Sequence, residues 1–383
     1  MKIQMVDLKG QYMKIKPEVD AAIQNVIDNT AFINGPIVKE FTQNLSDYVG
    51  GCHVITCANG TDALQIALMA LDLKPGDEVI VPAFTYVASA EVIGLLGLTP
   101  VMVDVDYETF NVTVDNIKKG LSDKTKAIIP VHLFGQSCDM EPILKFAKEH
   151  NLYVIEDNAQ AIGAEYTFSD GHKEKTGTMG TIGCTSFFPS KNLGCYGDGG
   201  AIFCKDEELA EKLRMIANHG QKVKYHHSVI GCNSRLDSMQ AAVLNVKLKH
   251  LDEYGKARYA AASFYTEKLR AFDPDETFLI TPKELERSTH VYHQYTLKIK
   301  NEKRDALKLF LADAGIPSMI YYPLPLQEQE AFKSITRAAE DLNVSRNIAC
   351  SVLSLPVHTE MTNEIQDVVI NKVIAFFNNS KNI

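Results

Sequence analysis

Residues 183–203 constrain this chain more than any other part of its sequence. A short apolar run breaks at residues 189–192 (Pro-Ser-Lys-Asn), and a glycine-rich turn leads to a second apolar run that ends at Phe203. Burying an ammonium group is costly, so a lysine between two buried strands usually has a lowered pKa or bonds covalently to a ligand. From Lys191 alone, the alternative is a surface hairpin with a solvated lysine, because most lysines are exposed.

A carboxylate upstream favours the covalent interpretation. Asp157 ends an apolar run that begins at Tyr153 and has the length of a strand. A lysine that traps an aldehyde and an aspartate that faces a pyridine nitrogen are the pair that pyridoxal phosphate enzymes need. Lys191 and Asp157 together therefore predict a pyridoxal phosphate site.

A second segment has the pattern of a phosphate site. Residues 54–57 predict a strand, residues 58–62 (Ala-Asn-Gly-Thr-Asp) a turn, and residues 63–71 a helix. Free backbone N–H groups and the positive end of such a helix face an anion. Thr61 or Asp62 as a simple helix cap is the alternative. Beside Lys191 and Asp157, the pattern favours phosphate binding by Gly60 and Thr61.

Composition excludes two classes of partner. The formal net charge of −9 leaves no basic footprint for nucleic acid. No apolar run reaches the roughly 18 residues that a membrane helix needs, and residues 1–7 lack the apolar region of a signal peptide. The eight cysteines form no Cys-x-x-Cys pair, which indicates reduced thiols and a cytoplasmic protein.

The order of elements predicts an α/β fold. Strand-like apolar runs alternate with helical patterns such as residues 140–150, as in a mainly parallel sheet that binds ligands at the carboxyl ends of its strands. A length of 383 residues exceeds a usual single domain. We expect a large domain over residues 1–252 and a smaller α+β domain over residues 253–383. Its predicted strands are residues 294–299, 316–321 and 352–355.

The chain resembles the DegT/DnrJ/EryC1/StrS family of sugar aminotransferases. Four segments carry the resemblance in the family's order and spacing, and similarity extends from Val6 to about Pro356: residues 58–64, 156–160, 186–194 and 196–201. The resemblance implies the aspartate aminotransferase-like fold (type I) of pyridoxal phosphate enzymes. Such a protein has a large domain with a mainly parallel seven-stranded sheet and a smaller C-terminal α+β domain.

The resemblance also implies roles for individual residues. Lys191 bonds to the cofactor aldehyde and then moves a proton as general acid/base, while Asp157 keeps the pyridine nitrogen protonated. The implied cofactor-binding residues are Gly60, Thr61, Tyr86, Asp157, Gln160, Ser186, Lys191 and Asn233. Tyr86 stacks on the cofactor ring, Gln160 bonds its phenolic oxygen, and Asn233 reaches the phosphate of a neighbouring subunit. A homodimer with shared active sites follows from the last of these.

For the substrate, the resemblance implies a nucleotide-linked keto sugar, with glutamate as the amino donor. Residues 225–227, 233–237, 294–296 and 322–326 are most similar to 3-aminotransferases of UDP-2-acetamido-2-deoxy-3-oxo-glucuronic acid, in the synthesis of surface polysaccharide such as lipopolysaccharide O-antigen. Tyr321 stands where those enzymes have histidine. Arg235 and Tyr322 are candidate substrate-binding residues. Arg235 either pairs with the uronate or forms a salt bridge within the dimer.

Other functions fit the sequence less well. A 4-keto sugar of the perosamine or bacillosamine type and a dTDP-3-keto-6-deoxyhexose stay open as substrates. A sugar dehydratase of the same fold carries histidine at the position of Lys191, and a non-catalytic member is expected to lose Lys191 or Asp157. Adjacent histidines at 226 and 227 lack a carboxylate or cysteine at ligand spacing, so we expect no metal site.

Overall fold

The structure, a computed structural model, describes residues 3–380. Residues 1–2, the start of the segment considered above as a signal peptide, lie outside the described residues. The helices are α1 Leu8–Asp28, α2 Pro36–Tyr48, α3 Gly60–Ala70, α4 Ala88–Leu95, α5 Val114–Gly120, α6 Met140–Glu149, α7 Glu207–Ala217, α8 Ser238–Leu248, α9 Leu251–Phe272, α10 Arg304–Asp313, α11 Asn343–Ser351 and α12 Asn363–Ser380.

Strands make up four sheets. They are β1 His53–Cys57, β2 Glu78–Pro82, β3 Thr99–Val103, β4 Thr125–Ile128, β5 Tyr153–Asp157, β6 Glu165–Thr167, β7 Lys173–Lys175, β8 Ile182–Ser186, β9 Gly200–Cys204, β10 Gln221–Val223, β11 His226–His227, β12 Leu279–Ile280, β13 Tyr295–Ile299, β14 Arg337–Ala338 and β15 Val352–Leu355. Within residues 3–380, no helix is both long and apolar enough to cross a membrane.

An eight-stranded sheet lies at the centre, in the order β1-β9-β8-β5-β4-β2-β3-β14. The pairs from β8 to β14 are parallel, whereas β9 is antiparallel to both of its neighbours, β1 and β8. Every strand except β9 therefore points the same way. The carboxyl ends of β1, β5 and β8 meet at one edge, and the β8–β9 turn lies at that edge too.

Alternation along the strands buries both faces of this sheet. In β2, Val79 and Val81 pack with helices α3, α4 and α7, while Ile80 packs on the opposite face with α5 and α6. Successive side chains of a strand point to opposite faces, so both faces need an apolar cover. The predicted mainly parallel α/β sheet is confirmed.

The sheet has one strand more than the predicted seven. The additional strand, β14, comes from the C-terminal part of the chain and pairs with β3. Its Arg337 donates hydrogen bonds of 3.1 and 2.7 Å to the two carboxylate oxygens of Glu78 and a third to the carbonyl of Gly120. This ion pair fixes the short strand at the sheet edge.

A second core lies in the C-terminal part. The antiparallel sheet β12-β13-β15 packs against helices α9, α10 and α12 through a cluster that includes Tyr265, Leu297 and Val373. The predicted strand at 316–321 is wrong, because only an isolated bridge between Met319 and Ser354 forms there. Residues 326–342 belong to the C-terminal part of the chain, yet they pack on the core of the large sheet through Leu326. The domain boundary after residue 252 stays a prediction.

Candidate active site

The candidate site begins at the turn between β8 and β9. This turn is held by a hydrogen bond of 2.8 Å from the amide of Cys195 to the carbonyl of Phe187, and the Lys191 amide donates to Phe188 at the same distance. A Cβ on Gly194 would lie 2.3 Å from the carbonyl oxygen of Pro189, so only glycine fits there. Lys191 is thereby placed at the carboxyl edge of the sheet.

Lys191 has an unusual electrostatic environment. Burial lowers the pKa of its ammonium group to about 8, and the nearby Asp157 carboxylate opposes this effect without cancelling it. Desolvation disfavours the charged form of an amine. At neutral pH, the neutral fraction of Lys191 is therefore larger than that of a lysine in water. A neutral amine is the nucleophile that attacks an aldehyde.

Asp157 lies at the end of β5 and is buried. Its Oδ2 accepts a hydrogen bond of 2.7 Å from Ser89 Oγ, and its Oδ1 accepts one of 3.1 Å from the amide of Ala159. Each carboxylate oxygen keeps a further lone pair for a ligand. The carboxylate is therefore held in one orientation and can still accept a hydrogen bond from a bound ligand.

Gln160 and Tyr322 form a linked pair beside it. The Phe134 amide donates to Gln160 Oε1 at 2.7 Å, which orients the side-chain amide so that Nε2 donates to Tyr322 Oη at 3.0 Å. Burial raises the pKa of Tyr322 far above its usual value, so the phenol is neutral. The second proton of Gln160 Nε2 is available to an acceptor such as a phenolic oxygen.

An exposed aromatic ring lies next to this pair. The ring of Tyr86 is 6.1 Å from that of Tyr322 and is more than half exposed, at 55 %. A large apolar ring left open beside buried polar groups offers a face on which a planar ligand can stack.

The predicted phosphate turn has free donors. Asn59 caps α3 by accepting a 2.8 Å hydrogen bond from the Asp62 amide, so the cap is neither Thr61 nor Asp62. The amides of Gly60 and Thr61 donate to no other atom among the described residues. A Cβ on Gly60 would lie 2.7 Å from that of Ser186, which brings the end of β8 against this helix terminus. Together they form an anion cradle.

Asn233 and Arg235 are not joined to the rest of the site within one chain. Asn233 is exposed, and its side chain makes no hydrogen bond with any residue from 3 to 380. The backbone beside it is fixed, because Ser234 Oγ accepts a 3.0 Å hydrogen bond from the Ala58 amide in the phosphate turn. Arg235 is half-buried and has no ion pair within residues 3–380. The roles of both residues stay predictions.

Sequence reasoning missed Ser89, Asn59 and the amide of Phe134. No group of three or more histidine, cysteine, aspartate or glutamate side chains within residues 3–380 has a geometry that could hold a metal. His227 Nδ1 lies 2.7 Å from the carbonyl of His219, so a main-chain contact occupies this nitrogen.

The residues fit pyridoxal phosphate. The free amides of Gly60 and Thr61 match a phosphate, the amine of Lys191 matches an aldehyde, and the oriented carboxylate of Asp157 matches a pyridinium. When bound, this cofactor supplies an electron-withdrawing ring that stabilises negative charge at the carbon from which a proton is removed. Fold and site together define an enzyme that depends on pyridoxal 5′-phosphate.

The chain belongs to the DegT/DnrJ/EryC1/StrS aminotransferase family, whose sequence profile matches residues 13–374. It is similar to the pleiotropic regulatory protein of Geobacillus stearothermophilus, with 46 % identity over 98 % of this chain and 99 % of the relative. It is also similar to the UDP-2-acetamido-2-deoxy-3-oxo-D-glucuronate aminotransferase of Pseudomonas aeruginosa, with 44 % identity over 93 % of this chain and 95 % of the relative.

A solved structure agrees with this assignment. The DegT DnrJ EryC1 StrS aminotransferase from Brucella abortus superposes with a TM-score of 0.90 at 41 % identity, over 98 % of this chain and 99 % of that one. The predicted family, fold type, aminotransferase class and cofactor are thus confirmed.

Proposed function

We propose that this aminotransferase aminates C3 of UDP-2-acetamido-2-deoxy-3-oxo-glucuronic acid, with glutamate as the amino donor. The reaction converts the ketone and glutamate into an amino sugar and 2-oxoglutarate. The observation that carries the chemistry is that the desolvated amine of Lys191 lies near the buried carboxylate of Asp157 at the carboxyl edge of the sheet. The similarity to the Pseudomonas aeruginosa enzyme along nearly the whole chain supports this choice of sugar.

Lys191 has two tasks in this proposal. As a neutral amine, its Nζ would bond to the aldehyde carbon of a bound cofactor with loss of water, and desolvation favours the neutral form by lowering its pKa to about 8. Once a substrate amine had taken its place, the same nitrogen would carry a proton between the donor carbon and the cofactor carbon. A base whose pKa lies near the working pH serves both directions of such a transfer.

The other site residues bind and orient. Asp157 would hold the proton on the ring nitrogen, Gln160 would donate to the phenolic oxygen, and Tyr86 would stack on the ring. Gly60, Thr61 and Ser186 would hold the phosphate. Tyr322 Oη accepts a 3.0 Å hydrogen bond from Gln160 Nε2, and this contact supports a role for its phenol in substrate binding.

The proposal includes a homodimer with shared sites. Tyr225 and Ile230, in the loop after α7, are 78 % and 87 % exposed, so this loop offers two large apolar side chains to a second copy. This loop leads into Asn233, whose exposed side chain is free to reach a phosphate in a second copy. Arg235 has no ion pair within residues 3–380, which supports a role in pairing with the uronate.

The proposed setting is the synthesis of surface polysaccharide such as lipopolysaccharide O-antigen, in the cytoplasm. Nucleotide-linked sugars are made from cytoplasmic nucleotides, and the reduced cysteines expected from the sequence agree with such a compartment. All eight cysteines are free.

Product analysis tests the proposed sugar. The purified protein is incubated with glutamate and the UDP-linked 3-keto uronate, and mass spectrometry follows the conversion to the amino sugar. The matched control sugar is UDP-2-acetamido-2-deoxy-3-oxo-glucose, which has the same ketone but no carboxylate. We expect faster turnover of the uronate. Equal or faster turnover of the control sugar contradicts the carboxylate recognition, and amination only of 4-keto sugars contradicts the C3 assignment.

A regulatory role is the second candidate, because one relative is named for it. The two candidates separate in the Lys191→Ala variant. Loss of amino transfer in this variant, with wild-type turnover in the parent, supports the enzyme. A parent protein that aminates none of the keto sugars tested supports the regulatory role.

A further inference from the structure

The support of Asp157 by a serine from another element is the strongest unassigned feature of the site. Ser89 lies in the first turn of α4, three residues after Tyr86, and is completely buried. Its Oγ is 2.7 Å from Asp157 Oδ2 and 3.3 Å from Thr85 Oγ1. The buried hydroxyls of Thr85 and Ser89 thus form a chain of hydrogen bonds that ends at the carboxylate of Asp157.

The direction of these hydrogen bonds follows from the carboxylate. An ionised aspartate only accepts, so the single proton of Ser89 is donated to Asp157. Ser89 Oγ is then an acceptor towards Thr85, and the Thr85 hydroxyl donates to it. A hydrogen bond to a charged group is stronger than one between neutral groups.

Packing does not explain a hydroxyl at this position. The buried side chains of α4 other than Ser89 are all apolar: Ala88, Ala90, Val92 and Ile93. A serine in a helix usually bonds to a carbonyl of its own helix, whereas Ser89 reaches a residue 68 positions away. Alanine would fill nearly the same space without a buried polar group.

We propose that Ser89 is a positioning residue that fixes the rotation of the Asp157 carboxylate, so that its free lone pairs face the ring nitrogen of the cofactor. The Ala159 amide holds Oδ1 and Ser89 holds Oδ2. Two hydrogen-bond donors, one on each oxygen, fix the rotation of the carboxylate about its Cβ–Cγ bond. A single donor fixes one oxygen and leaves more of this rotation free. Thr85 orients the Ser89 hydroxyl in turn. The inference rests on pyridoxal phosphate dependence and not on the identity of the sugar.

The expected effect concerns charge in the cofactor ring. A proton held on the ring nitrogen disfavours a second positive charge on the nitrogen of Lys191, because both atoms belong to one conjugated system once the cofactor is bound. If Asp157 rotates away, the ring proton is held less firmly. The pH at which the visible absorption band of the bound cofactor changes should then rise.

The experiment compares Ser89→Ala with the wild type, both with pyridoxal phosphate bound and without any sugar. We expect the pH midpoint of the visible band to rise by about one pH unit, which is a tenfold change in proton affinity. We also expect turnover with the best keto sugar to fall roughly tenfold or more. Ser89→Thr, which keeps the hydroxyl, should restore most of both values.

Ser345→Ala is the matched control. Ser345 is also completely buried, and its Oγ donates a 2.6 Å hydrogen bond to Asp104, outside the candidate site. This variant should lose stability to a similar degree as Ser89→Ala and keep the wild-type midpoint. An unchanged midpoint in Ser89→Ala, or an equal rise in Ser345→Ala, overturns the proposal.

Thr85→Val provides a second variant. It removes the Thr85 hydroxyl at nearly constant volume and should raise the midpoint by less than Ser89→Ala does. If Ser89→Ala does not fold, this variant decides: a wild-type midpoint in Thr85→Val overturns the proposal. Because the midpoint is measured without sugar, a wrong choice of substrate does not affect it.

Discussion

Replacing Lys191 should stabilise the cofactor-free protein. In Lys191→Met a half-buried, largely desolvated ammonium gives way to an apolar side chain of similar length. Burial lowers the pKa of Lys191 from its usual 10.5 to about 8. At about 1.36 kcal/mol per pKa unit, this corresponds to about 3 kcal/mol of unfolding free energy that the wild type lacks at pH 7.

The effect should depend on pH in a defined direction. The pKa is lower in the folded than in the unfolded chain, so the unfolded state binds more protons between pH 8 and 10.5. The wild type therefore gains stability as pH rises through this window, and the penalty is complete only below pH 8. The advantage of Lys191→Met should fall to roughly half at pH 9.5.

Urea unfolding followed by circular dichroism measures this difference. Both proteins are freed of cofactor and compared at one protein concentration, at pH 7 and pH 9.5. Lys145→Met, at an exposed lysine without an ion pair among residues 3–380, is the control and should change stability little at either pH. If Lys191→Met is no more stable than the wild type at pH 7, or its advantage does not shrink at pH 9.5, the reasoning from burial is refuted.

Three further predictions concern the site. Asp157→Asn should still bind cofactor, seen in its absorption, but lose at least about tenfold in turnover, because an amide cannot hold the pyridinium proton; unchanged turnover removes Asp157 from the mechanism. Asn59→Ala should lower the unfolding free energy by about 1 kcal/mol through loss of the α3 cap, measured in urea; an unchanged value contradicts this role of the cap. Mixing inactive Lys191→Ala with inactive Asn233→Asp should restore activity, since each mixed dimer has one intact site; no recovery after exchange confirmed by mass contradicts a shared site.

The placement of Lys191, Asp157 and Gly60 at the ends of elements could be predicted from the sequence. Lys191 and Asp157 each end or follow an apolar strand-like run, and parallel strands bring such ends to one edge. Gly60 could be found for the same reason, because a glycine turn between strand and helix has a restricted geometry. The positions of these residues at the ends of elements follow from local pattern, whereas their proposed roles depend on the combination of Lys191 with Asp157.

Residues that act through long-range contacts could not be found. Ser89 lies in an apolar helical pattern, and its partner is 68 residues away. A buried serine in such a pattern is the only local signal, and it does not identify the partner. The apolar pattern of residues 316–321 predicted a strand, yet Ile316 packs in the C-terminal core by its side chain while the backbone forms a single bridge at Met319. Apolar periodicity reports burial and not pairing.

The short strand β14 has a consequence for synthesis of the chain. It covers the free edge of β3, where Val101 and Met102 pair with Arg337 and Ala338. The ribosome synthesises residues 337–338 more than 230 positions after their partners in β3. During most of translation, β3 is therefore an uncovered apolar edge strand of the sheet. Such edges recruit strands from other chains. Nascent chains that stop before residue 337 should therefore aggregate through β3, even though the rest of the large sheet is already present.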